Sequence, residues 1–68
     1  MVTVTVELSA RERSVLDGIL RSLTYEAIAH ELRISHETVK IYAKRLRAKT
    51  GATSKVGLAL WGAKHLQG

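Results

Sequence analysis

The stretch from Leu23 to Lys49 limits most severely what this chain can become. Thr24 and Ser35 each stand directly before a run of helical spacing, where a side-chain hydroxyl can accept a hydrogen bond from a first-turn backbone N–H. Between the two caps there is room for a helix of about eight residues and a turn of roughly three, the proportions of a helix-turn-helix. Ala29 is small where the two helices must cross, and Ile34 supplies an apolar plug for the turn.

The longer helix behind Ser35, expected over about 36–49, can be read by rotating about 100° per residue from Val39. Val39, Ala43, Leu46 and Thr50 fall on the inward side, with Tyr42 at its margin; Glu37, Lys40, Ile41, Lys44 and Ala48 fall on the far side. A helix that only faces solvent has little reason to show an exposed Ile and a small Ala between two lysines. The set suits a DNA major groove: Lys40 and Lys44 can donate to guanine O6 and N7, Ile41 can touch a thymine methyl, and Ala48 lets the backbone come close. Arg45, Arg47 and Lys49 lie towards the flanks, within reach of phosphates. At the start of the shorter helix, Thr24, the Tyr25 phenol and the free N–H groups of the first turn make one phosphate clamp. Tyr25 as mere cover for apolar surface is the equal alternative.

Charge supports a polyanionic partner. The net charge is +5, and Arg33, Lys40, Lys44, Arg45, Arg47, Lys49 and Lys55 fall in the second half of this motif and just beyond it, against Glu37 alone. Nucleic acid is the first partner such a face suggests and an anionic membrane surface the second; a merely solvated basic helix is the bland reading. A chain of 68 residues is one domain. Folding at that size buries only about 60% of the unfolded surface, so self-association would help it. Cysteine is absent, which removes disulfides and thiolate zinc sites. No apolar run approaches the roughly 18 residues of a membrane span, and the N-terminus lacks a signal-peptide pattern, so a soluble, cytoplasmic protein without membrane partners is expected.

The flanking segments complete an all-α, four-helix domain over 8–66 with a short extended arm or linker over 1–7. Val2 to Val6 alternate β-branched and hydroxyl residues, which reads as an extended arm, or as a strand added to a partner chain. Ser9 followed by Glu12 is a capping box that starts the first helix, and Val15, Leu16, Ile19 and Leu20 share one face. Gly18 in its middle costs about 1 kcal/mol relative to Ala, and Ser22 is a poorer left-handed C-cap than Gly. Gly51 ends the third helix and Ser54 caps a fourth. On that helix Val56, Ala59, Leu60 and Ala63 are expected in the core. Leu58, Trp61 and His65 beside Gly62 form a second apolar face, a candidate dimer surface with Trp61 as anchor. Trp61 folding back over the domain edge is the alternative.

With these elements placed, the chain resembles the LuxR/GerE-type DNA-binding domain of bacterial transcription regulators. The resemblance runs from Leu8 to about Leu66 and rests on Leu8-Ser9-Ala10-Arg11-Glu12-Arg13, Ile28-Ala29, Leu32, Ile34-Ser35, Thr38-Val39-Lys40, Lys49 and Thr53-Ser54-Lys55. It implies a third helix that reads the major groove and a fourth that pairs two copies on an inverted-repeat site, with the homodimer forming only on DNA as one case. By position, Lys40, Ile41 and Lys44 match base-reading sites, and Thr38, Tyr42 and Lys49 backbone-contact sites. Ser22, Ala27, Tyr42 and Thr50 stand where Gly, Glu, His and Leu are common in the family. Many members carry a receiver or ligand-binding domain ahead of this one, so the chain is either a stand-alone regulator or the effector end of a longer response regulator. RNA polymerase is a further partner of such a regulator.

Two other function classes compete. An enzyme would need a nucleophile elbow, a paired-carboxylate cleft or a phosphate-cradling glycine loop, and none occurs. His30, His36 and His65 make no zinc signature without cysteine, so no catalysis, metal or cofactor is expected. A protein-interaction module that dimerises with a regulator without reading DNA would tolerate an acidic third helix, against which the retained Lys40, Lys44, Arg45, Arg47 and Lys49 argue. A promoter-reading domain of the sigma-factor kind is also similar around Leu23-Thr24-Tyr25-Glu26 and Thr38-Val39-Lys40, but such domains usually stop after the recognition helix.

Overall fold

The computed structural model describes residues 6–66, and the arm expected over 1–7 lies mostly outside them. Four helices follow one another, α1 (Ala10–Leu20), α2 (Tyr25–Leu32), α3 (His36–Thr50) and α4 (Lys55–Leu66), with no strand among the described residues. Each start is set by a hydroxyl. Ser9 and Glu12 close a reciprocal capping box. Thr24 accepts from the Ala27 N–H at 3.0 Å, Ser35 from Thr38 at 3.0 Å and Ser54 from Gly57 at 3.0 Å. Each pairing satisfies one of the donors that a helix N-terminus otherwise leaves unmet.

The helix ends differ from the glycine pattern. After α1, Leu23 N–H bonds to the Gly18 carbonyl and Ser22 N–H to Ile19, with Ser22 at φ 63°. After α2, Ile34 N–H bonds to Ala29 and Arg33 N–H to His30, with Arg33 at φ 58°. These are Schellman closures built on non-glycine residues, and a left-handed L-residue costs about 1–2 kcal/mol. Gly51, at φ 81°, makes the corresponding turn after α3 without that cost.

The core is one cluster: Val15, Leu16 and Ile19 of α1, Ile28 and Ala29 of α2, Val39 and Leu46 of α3, and Leu58 of α4. α1 packs against each of the other three helices. Gly18 explains how α1 and α2 come so close, because a Cβ there would lie 2.6 Å from Ile28 Cγ1 and 2.9 Å from its Cδ1. The glycine that costs helix propensity is thus a contact surface.

α4 sits largely the other way round from the sequence-based expectation, although Ala59, expected in the core, is half-buried against it. Leu58 is fully buried, whereas Val56 and Leu60 are 69% and 68% exposed and Ala63 is exposed. Gly62 is buried against Leu16 and Leu20, where a Cβ would meet Leu20 Cδ2 at 3.1 Å. Leu58 and Gly62 therefore belong to the core and are unavailable to a dimer surface. The wheel offered two apolar faces, and the one with a glycine won because only it lets α4 approach α1. Trp61 is half-buried on the core and stacks on His65 at 4.5 Å between ring centroids, so it folds over the domain edge.

Glu12 is the one charged residue buried among those described, at 2% exposure. Its Oε1 accepts from the Lys49 ammonium at 2.7 Å and from the Ser9 N–H at 2.8 Å. The hydrogen bond from Lys49 is the main cause that holds this carboxyl below the ordinary value of 4.5, followed by the one from Ser9. On the surface, Arg21 forks onto Glu31 at 2.6 and 3.2 Å and reaches Asp17 at 3.1 Å, tying α1 to α2.

Two outcomes are expected. Gly18→Ala should destabilise the domain in spite of its better helix propensity. Overpacking costs about 1–3 kcal/mol against roughly 1 kcal/mol regained, so thermal melting should fall by several degrees; an unchanged or raised midpoint would show that Ile28 yields freely. The second concerns pH. Because the folded-state pKa of Glu12 is lowered, its stabilisation is present above the unfolded value and lost as pH falls through the lower folded one, below about 4.5. Urea melts in an acid series should show Glu12→Gln less stable than the parent at neutral pH, with the gap closing as acid is added.

Candidate nucleic-acid interface

The outward side of α3 gathers the residues expected to read bases. Lys40, Ile41 and Lys44 line a shallow concavity of about 280 Å³ together with Glu37, Arg47 and, from α2, Tyr25. The reason is local: Val39, Ala43 and Leu46 are fully buried, so the residues about half a turn away must face outward. Ile41 is 51% exposed and takes no part in the core cluster. Lys40, Lys44, Arg45 and Arg47 enter no ion pair among the described residues, whereas Arg21 and Lys49 do.

Tyr25 is half-buried and braced from two sides. The Lys55 ammonium lies 5.0 Å from its ring centroid while donating to the Leu23 carbonyl at 2.8 Å, and the His36 ring lies 6.4 Å away, tilted. Tyr25 packs against the core and also lines the concavity, so it does cover apolar surface. Thr24 is exposed at the start of α2, its oxygen occupied as the cap. Thr38 is half-buried and shares a 2.7 Å hydrogen bond with the Ser35 hydroxyl. Tyr42 is half-buried on the core, and the Arg45 guanidinium lies 5.6 Å from its ring centroid, which places this cation at the rim of α3.

Lys49, expected as a backbone contact, also has a structural partner. Its side chain is 42% exposed, and its ammonium donates to the buried Glu12 Oε1 at 2.7 Å and to the Glu7 carbonyl at 3.1 Å. Losing this partner would leave the buried Glu12 charged without compensation. No local signal marks this pair, because the residues lie far apart in sequence. Glu37, in contrast, was visible on the outer face and is now seen to border the concavity itself.

Among the described residues no cluster of His, Cys, Asp or Glu could hold a metal ion, and no helix is long and apolar enough to cross a membrane. The model for bacterial regulatory proteins of the luxR family matches residues 6–61. The chain is 34% identical over 62 residues to the response regulator Rre1 of Synechocystis, covering 91% of this chain and 27% of that protein. It is 36% identical over 55 residues to the nitrate/nitrite response regulator protein NarL of Escherichia coli, covering 81% and 26%. The chain thus spans about a quarter of the length of these curated relatives. No solved structure is a significant match. The cap-defined α2–α3 pair, the basic outward face of α3 and this match agree: the chain belongs to the LuxR family of bacterial regulatory proteins and is a DNA-binding helix-turn-helix domain of that family.

Proposed function

We propose that this domain binds double-stranded DNA sequence-specifically by laying α3 in the major groove, and that it thereby regulates transcription in the bacterial cytoplasm. The observation that carries the reading is the outward face of α3, where Lys40, Ile41 and Lys44 border one concavity with no acidic side chain paired to the lysines. Lys40 and Lys44 donate to guanine edges and Ile41 meets a thymine methyl. Thr24, Tyr25, Thr38, Tyr42, Arg45 and Arg47 stand around them as backbone contacts, which fix register without carrying sequence information. Lys49 supports the site by holding α3 to Glu12. Two relatives are response regulators by name, which supports the role of effector end of such a regulator, with RNA polymerase as its further partner.

Pairing on an inverted repeat is assigned to α4, through its outer face. Val56 and Leu60 are large, apolar, one helical turn apart and more than two-thirds exposed. Ala59 and Val56 border a small concavity with Ile19 and Ser22 that a second copy's side chains can enter. A single helix per copy falls far short of the roughly 1,600 Å² of a stable interface, so the pair forms on DNA, which holds both copies. Two recognition helices then lie about one DNA turn apart, roughly 34 Å.

A mobility-shift titration tests the first reading. If six to ten phosphates are contacted, affinity should drop by roughly 10³ to 10⁵ between about 50 and 200 mM salt, and a flat response would rule it out. On a selected site, Lys44→Ala should lose about 1–3 kcal/mol more than on random duplex; an equal loss on both would remove its base-reading role. For pairing, Leu60→Glu should keep the helical circular-dichroism signal while abolishing cooperative filling of two half-sites. Leu58→Glu should unfold the domain, as a fully buried leucine must. Retained cooperativity in Leu60→Glu would move the interface off α4.

A further inference from the structure

Within the basic concavity on α3 there is one carboxylate, Glu37. It is exposed, and among the described residues it makes no hydrogen bond or ion pair, although Lys40 and Ile41 follow it at the spacings that share a helix face. Glu12, Asp17 and Glu31 each answer a cation of the fold; Glu7 and Glu26 are exposed and enter no ion pair among the described residues either, but neither borders the concavity. A carboxylate left free beside Lys40 and Lys44 opposes any polyanion that settles there. A first-turn acid also suits the positive end of a helix dipole, but that role does not require the side chain to face the concavity.

Resting on the groove-reading of α3 proposed above, we infer that Glu37 is a specificity-determining residue that accepts a hydrogen bond from the exocyclic amino group of a cytosine. Ionised glutamate is acceptor-only, and in the major groove the cytosine N4 amino group is the donor it matches. Its first-turn place on α3 is where recognition helices meet base edges. Opposite a guanine O6 or thymine O4 it faces an acceptor, and near phosphates it is repelled. Glu37 thus lowers affinity for sequences without the cytosine, a discrimination made by an unfavourable contact beside the favourable ones that Lys40 and Lys44 make.

The test is selection of preferred sites from a random duplex pool with the parent, Glu37→Ala and Glu37→Gln, followed by anisotropy titrations at one salt concentration. The parent should require a C·G pair at one position of each half-site. Glu37→Ala should lose roughly 5- to 100-fold of preference at that pair alone, keep the preferences elsewhere and bind random duplex more tightly. Glu37→Gln should move the preference towards adenine, whose N6 and N7 match an amide. If both variants keep the parental preference at every position while all affinities shift by a common factor, Glu37 is a bystander and the inference falls while DNA binding stands. If the parent selects no duplex and shows no salt dependence, the groove-reading of α3 fails, and this inference with it.

Discussion

The packing of α1 against all three other helices is the constraint on which the domain depends. A chain this short has room for a single core, and Val15, Leu16 and Ile19 supply its centre. α2 reaches that centre through the bare backbone of Gly18, and α4 through the bare backbone of Gly62. Leu46 and Val39 bring α3 onto the same cluster. Because side chains in such a core are close-packed, the orientation of α3 is set by contacts behind it, and the charged face in front is left free of structural duty.

The Glu12–Lys49 pair adds a second anchor between the start of α1 and the last turn of α3. One carboxylate caps the start of α1, accepts the ammonium from the last turn of α3 and is shielded from water. Such a pair contributes less to net stability than its distance suggests, since burial of the carboxylate offsets the attraction. What it does is fix which ends meet: any slip of α3 along α1 leaves a buried charge alone. Lys55, bonded to the Leu23 carbonyl and lying over Tyr25, plays a comparable part at the other end of the site. Two lysines from the basic half of the chain thus build the platform, and the remaining cations of α3 are presented upon it.

That division is a physical sorting of like charges. Lys40, Lys44, Arg45 and Arg47 stand on one helix without ion-pair partners among the described residues, and their mutual repulsion is relieved by solvent or by a polyanion. The surface between α1 and α2 is arranged oppositely, with Arg21 shared by Asp17 and Glu31. An exposed network of that kind contributes little stability, yet it leaves that flank nearly neutral. The domain thus has a basic side on α3 and a balanced side between α1 and α2, an asymmetry of charge that a polyanion would meet unequally.

Local chemistry in the sequence was enough to determine the four helices, their hydroxyl caps, the three-residue turn and the inward stripes of α1 and α3. Each follows from hydrogen bonds or periodicity within a few residues, and the outward grouping of Lys40, Ile41 and Lys44 comes with them. Only the tertiary structure decided the facing of α4, because both of its sides are apolar and a helical wheel ranks them by size alone. Gly62 chose the inward side by letting Leu16 and Leu20 come within contact, which sent Leu58 into the core and left Val56 and Leu60 outside. The fate of Lys49 was equally out of reach, since a cation on the flank of a basic helix looks the same whether it meets a phosphate or a buried glutamate. Its partner lies on another helix, and no periodicity within α3 encodes that distance.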